Sequence, residues 1–265
     1  MPGSGMVVSP LGAKQREHGM RVLVVENDRV TALGQIGVAL REAGADIDIC
    51  RPHAGDALPV DESGHDAIVV MGGPQNALDD ENHTYLPELA RLMRRFGDAD
   101  KSVLGICLGS QLLARAYGAE NLIGAAPEFG WCAVALTEAG ASDPVLAAAQ
   151  GKFPIFQWHS DTFSLPDGAT RLATNPAAAN QAYRIGRAVY GSQFHFEASR
   201  DVVDYWKSHF PELIEQLSPG WLDRHADLAA LHGPTADATG LAIARNWVAT
   251  IAAGIVTDEP RAVSA

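Results

Sequence analysis

The stretch Ser102-Val103-Leu104-Gly105-Ile106-Cys107-Leu108-Gly109-Ser110-Gln111-Leu112-Leu113-Ala114 restricts the possible folds of this chain more than any other. An apolar run climbs to a cysteine that has glycine two residues before it and two after. Leu112, Leu113 and Ala116 then fall at helical spacing, and Gly118 can end the helix. The pattern predicts a strand, a sharp turn and a helix: a nucleophile elbow of the G-x-S-x-G kind with Cys in place of Ser. So tight a turn needs small residues at Gly105 and Gly109. It lifts the Cys107 side chain out of the sheet and places it at a helix N-terminus, where partial positive charge favours thiolate over thiol. A cysteine that merely fills a core needs neither glycine.

The flanking segments fit one architecture. Arg21 to Glu26, Asp46 to Cys50 and Ala67 to Met71 read as strands, the last running into Gly72-Gly73-Pro74. A helix through about Glu42, ended by Gly44, follows the first strand, and Asn82 to Phe96 reads as another. This β-α order implies a parallel sheet with helices on both faces, and ligands in such sheets bind beyond the carboxyl ends of the strands. Gly72-Gly73 and Cys107 share that edge. Short strands follow at Trp131 to Thr137, Phe153 to Trp158, Ala169 to Ala173, Gln181 to Ile185 and Ala188 to Phe194. Arg200 to Leu217 reads as helical. Ser218-Pro219-Gly220 and Gly233-Pro234 read as breaks before a last helix over Ala238 to Ala253. A phospho-receiver needs an acceptor Asp where Met71 and Gly72 stand. A dinucleotide fold needs glycines where Glu26-Asn27-Asp28-Arg29 stands.

The expected organisation is one α/β domain over residues 20–217, with helices over 218–257 packed on it. Residues 1–19 read as a disordered extension without a secretory h-region, and 258–265 as a flexible tail. The net charge of −12 argues against nucleic-acid and anionic-membrane partners. No apolar run reaches the roughly 18 residues of a membrane span. The three cysteines, Cys50, Cys107 and Cys132, suggest neither a disulfide framework nor a zinc site, and a cytoplasmic location is expected.

A cysteine nucleophile needs a base, and the base needs an orienting group. Gly191-Ser192-Gln193-Phe194-His195-Phe196-Glu197 supplies one pair. Residues two apart on a strand share a face, so His195 and Glu197 lie side by side while Phe194 and Phe196 point into the core. His159, in Trp158-His159-Ser160-Asp161, competes: it too ends an apolar strand and has an acid two residues on. Spacing alone does not choose between them. No His, Cys, Asp and Glu grouping has a metal-ligand spacing.

The elbow GICLGSQLLA, the GGP loop before it and the late QFHFE resemble the class I glutamine amidotransferases. EFGW (Glu128 to Trp131) and WHSDTFSLP (Trp158 to Pro166) resemble the stand-alone, GMP-synthase-like branch of that family. The resemblance covers about Met20 to Leu217, with the motifs in family order. It implies a three-layer, flavodoxin-like α/β fold with a mostly parallel central sheet. It implies Cys107 as nucleophile, His195 as base and Glu197 as its orienting acid, with the Gly73 and Leu108 N–H groups as oxyanion hole. Gln111 and Gly130 with its neighbours, Trp131 among them, are implied at the glutamine pocket. Glu128 is either a recogniser of the substrate's α-amino group or a solvated loop residue. His159 corresponds to a position near the site but outside the triad. The implied reaction releases ammonia through a γ-glutamyl thioester without a cofactor. The chain after Leu217 does not resemble the ATP-binding synthase that accepts ammonia in paired enzymes, which leaves the acceptor open; a separate synthase partner is one candidate. The alternatives are a γ-glutamyl peptidase and a non-catalytic binding module on the same fold.

Overall fold

The computed structural model describes residues 19–257, without the side chains of 255–257. The expectations for residues 1–18 and for the tail 258–265 lie outside the described residues. The strands are β1 (Arg21–Val25), β2 (Asp46–Cys50), β3 (Ala67–Val70), β4 (Ser102–Ile106), β5 (Asn121–Leu122), β6 (Glu128–Leu136), β7 (Lys152–His159), β8 (Thr162–Phe163), β9 (Thr170–Thr174), β10 (Ala182–Ile185) and β11 (Val189–Ser192). The helices are α1 (Gly34–Glu42), α2 (Leu86–Asp98), α3 (Leu108–Ala116), α4 (Glu138–Ala141), α5 (Arg200–His209), α6 (Pro211–Leu217) and α7 (Trp221–Thr257). Nine strands form one sheet in the order β2-β1-β3-β4-β11-β10-β9-β6-β7, and β5 pairs with β8 apart from it. β2, β1, β3, β4 and β11 are mutually parallel; β10, β9, β6 and β7 continue the sheet antiparallel.

Edge strand β2 exposes Asp46 and Asp48, whereas the inner parallel strands β1, β3 and β4 are buried on both faces, as a sheet covered on both sides requires. Their side chains separate with a period of two. Val22, Val24, Ala67, Val69, Leu104 and Ile106 meet Ile36, Ala39 and Leu40 of α1 and Ile243, Ala244, Trp247 and Ile251 of α7. Leu23, Val25, Ile68, Val70 and Val103 meet Leu89, Leu92, Met93 and Phe96 of α2 and Leu112 and Leu113 of α3. Three layers follow from that alternation.

Two helical expectations need correction. The segment read as helical over Arg200 to Leu217 is two helices, because Pro211 starts α6 and holds Phe210 at φ −130°. Gly233-Pro234 does not break the chain: α7 runs unbroken from Trp221 to Thr257 with Pro234 inside it. An interior proline removes one helical N–H and costs about 3 kcal/mol. Beyond it, Ala236, Ile243, Ala244, Trp247, Val248 and Ile251 are buried. Each large apolar side chain buried contributes about 1.5–3 kcal/mol, so packing outweighs the proline. Among the described residues, no helix is long and apolar enough to cross a membrane.

Candidate active site

Cys107 stands between β4 and α3 with φ +50° and ψ −110°, a left-handed-side conformation that costs a non-glycine residue about 1–3 kcal/mol. The surroundings hold it there. Its N–H donates to the Ser192 carbonyl at 2.8 Å, and its own carbonyl accepts from the N–H groups of Ser110 at 2.9 Å and Gln111 at 3.1 Å. The two elbow glycines are required by backbone approach. A Cβ on Gly105 would lie 2.3 Å from the Gly109 carbonyl oxygen, and one on Gly109 would lie 2.1 Å from that of Val70.

His195 lies beyond β11, which stops at Ser192 rather than reaching Phe194. A single antiparallel bridge to Phe156 fixes it, its N–H donating to the Phe156 carbonyl at 2.9 Å. His195 and Glu197 are therefore brought together by a turn rather than by an extended strand. Phe194 and Phe196 still enter the core. His195 Nδ1 donates to Glu197 Oε1 at 2.7 Å, with both side chains buried. That bond leaves Nε2 for the neighbouring Cys107, whose thiol donates to the Trp158 carbonyl at 3.6 Å. Burial alone pushes His195 down. The charges of Glu197 and Cys107, with the Glu197 hydrogen bond, outweigh it and hold the imidazole well above the usual histidine range.

The Gly73 N–H has no acceptor among the described residues. Leu108 is the first residue of α3, so its N–H has no intrahelical acceptor. Asn27, which sequence reasoning passed over, braces the Gly73 loop: its buried side-chain amide donates to the Met71 carbonyl at 2.7 Å. A Cβ on Gly73 would meet Asn27 Cβ at 2.9 Å.

A cavity of about 560 Å³ opens over Cys107, lined by Gly73, Leu108, Gln111, Glu128, His159, His195 and Glu197 among others. Gln111 is buried, its amide donating to Gln193 Oε1 at 3.3 Å. Glu128 is no solvated loop residue. It begins β6, and its carboxylate accepts from Asn175 at 2.5 Å and Gln181 at 2.6 Å. His159 Nε2 faces it at 3.2 Å, an ion-pair distance rather than an aligned hydrogen bond. His159 Nδ1 donates to the Asp161 carbonyl at 3.0 Å. Both ring nitrogens of His159 are thus turned to other partners, which separates the two histidines that spacing left equal. Gly130 and Trp131 do not line the cavity. Gly130, at φ +90°, backs onto Trp221, and Trp131 stacks on the same ring with centroids 6.0 Å apart. Thr31, Trp206, Phe210, Leu213 and Leu217 do line it. Nothing in the local sequence marked the last four, because α5, α6 and the Phe210 joint between them reach the cavity only through tertiary packing.

A thiol at a helix N-terminus, an imidazole oriented by a carboxylate and two uncommitted N–H groups form a constellation suited to acyl transfer. The class I glutamine amidotransferase family model matches residues 30–204. The chain is 34% identical over 188 residues to the glutamine amidotransferase-like protein YfeJ of Salmonella typhimurium, covering 70% of this chain and 79% of that one. It is 31% identical over 177 residues to a glutamine-hydrolyzing GMP synthase subunit of Thermoplasma acidophilum, covering 66% of this chain and 82% of that one. A glutamine amidotransferase of Thermotoga maritima superposes with a TM-score of 0.76 at 26% identity, over 89% of this chain and 99% of that one. The chain belongs to the class I glutamine amidotransferase family.

Proposed function

We propose that this protein hydrolyses the side-chain amide of glutamine to glutamate and ammonia, with Cys107 as nucleophile. The observation that carries this reading is the buried array of Cys107, His195 and Glu197 beside two uncommitted N–H groups. Cys107 Sγ attacks the γ-carbonyl as its thiolate, and the carbonyl oxygen turns toward the Gly73 and Leu108 N–H groups. The C–N bond breaks as His195 Nε2 gives its proton to the departing nitrogen. A γ-glutamyl thioester remains on Cys107. Water then attacks it, losing a proton to His195, and the C–S bond breaks to restore the thiolate. Glu197 holds the imidazole and stabilises its charge throughout.

In this reading Gln111 and Glu128, which line the cavity, bind the glutamyl moiety. The names of the relatives that are GMP synthase subunits favour a separate synthase as the acceptor of the ammonia. The test is glutamate release from glutamine by the isolated protein, compared with Cys107→Ala. Release by the wild type and none by the variant is expected. Equal release by both would refute the reading.

A further inference from the structure

The acyl-transfer geometry also says where a leaving group must go, and the inference below rests on the Cys107 reading above. The carbonyl oxygen faces Gly73 and Leu108, and the glutamyl chain extends toward Gln111 and Glu128. The departing nitrogen must take its proton from His195, so whatever it carries lies on the His195 side.

That side is apolar and aromatic. The Trp206 ring meets His195 edge-on, with centroids 5.2 Å apart and planes at 78°. Trp158 packs on Trp206 at 5.7 Å, and Phe210 packs on Trp158 at 5.7 Å. Trp206 has spent its polar atom, Nε1 donating to the Val30 carbonyl at 3.2 Å. Leu213 and Leu217, one turn apart on α6, carry the wall outward and are 43% and 44% exposed. Asp28 also lines the cavity, but its Oδ1 accepts from the Val30 N–H at 3.0 Å in a local turn. Ammonia needs none of this wall. At about 560 Å³ the cavity falls within the range of about 300–1,000 Å³ that holds drug-sized ligands.

We propose that Trp158, Trp206, Phe210, Leu213 and Leu217 form a leaving-group subsite for a bulky apolar or aromatic amine, so that the protein also hydrolyses γ-glutamyl amides of such amines. The step balances as for glutamine. Sγ bonds the γ-carbon, the C–N bond breaks, and the amine leaves with the His195 proton. Water then resolves the thioester to glutamate.

The experiment measures glutamate release from glutamine, γ-glutamylmethylamide, γ-glutamylbenzylamide and the mono-γ-glutamyl amide of a diamine. Methylamine and benzylamine are both alkylamine leaving groups, so their comparison reports mainly on the subsite. The expected kcat/KM for the benzylamide exceeds that for the methylamide by about tenfold or more, the discrimination an apolar pocket gives for a few carbons. Leu213→Asn and Leu217→Asn, at half-exposed positions that tolerate polar residues, are each expected to lower that ratio about threefold or more. Equal rates for the two amides, a ratio unmoved in both variants, or a preference for the diamine amide would overturn the subsite, while glutamine turnover kept the Cys107 reading intact. No glutamate from any of the four would overturn both.

Discussion

Exchanging Glu197 for Gln isolates the charge that acts on His195. The Nδ1–Oε1 contact is 2.7 Å and both side chains are buried, so the bond is charge-assisted and poorly screened. A glutamine keeps an acceptor oxygen at the same reach and removes only the charge. Hydrogen bonds to charged groups contribute about 1.5–3 kcal/mol and neutral ones about 0.5–1.5, so the loss is about 1–1.5 kcal/mol. At 1.36 kcal/mol per pKa unit, that is about one unit. The carboxylate raises the His195 pKa, so its removal lowers it. The imidazolium is the acid that protonates the departing nitrogen, and the basic limb of the kcat/KM profile against pH reports its deprotonation. That limb is expected about one unit lower in Glu197→Gln than in the wild type, so that kcat/KM falls roughly tenfold at pH values on the limb. The assay is glutamate release across pH for both proteins. A basic limb that stays in place, or moves upward, would refute the argument that Glu197 acts through the imidazole.

His195→Ala is expected to lower kcat by about 10³-fold or more, because it removes the base that takes the thiol proton, whereas His159→Ala raises KM and lowers Tm through loss of its contact with the Glu128 carboxylate. Steady-state kinetics and thermal denaturation of the two variants check this, and a larger kcat loss from His159→Ala would reverse the assignment. Pro234→Ala restores a helical N–H at an exposed position and is expected to stabilise by about 1–3 kcal/mol, with Tm raised by about 2–10 °C. An unchanged or lower Tm would show that α7 does not bear the proline's cost.

The elbow was legible because its physics is local. Gly105 and Gly109 are dictated by backbone contacts within 2.3 Å of a hypothetical Cβ, and such a constraint is written in the sequence itself. The inner parallel strands were legible for the same reason, through apolar runs, and the edge strand β2 through its alternation of Asp and Ile. His195 and Glu197 were found by a two-residue spacing, although the chain turns there instead of continuing β11. Spacing did not separate His195 from His159, because the difference lies in what each ring nitrogen meets. For His159 those partners include Glu128, far away in sequence. Gly130 and Trp131 were expected at the pocket, yet they face Trp221 of α7, a partner that no local pattern reveals. The unbroken α7 was missed because local propensity penalises Pro234 while the compensating burial is tertiary. The apolar wall from α5 and α6 was equally invisible, since Trp206, Phe210, Leu213 and Leu217 read as ordinary amphipathic positions.

Covalent labelling with a glutamine analogue that carries a diazomethyl ketone in place of the side-chain amide tests the central claim most directly. The analogue presents a γ-carbonyl to the nucleophile and leaves a stable bond to sulfur. Burial, aided by neighbouring carboxylates, pushes Cys50 and Cys132 each up to about 11, so both are thiols at neutral pH. Peptide mapping by mass spectrometry is expected to find one label per chain, on Cys107, with glutamine slowing its incorporation. No incorporation, labelling that glutamine does not slow, or label on Cys50 or Cys132 would contradict the account.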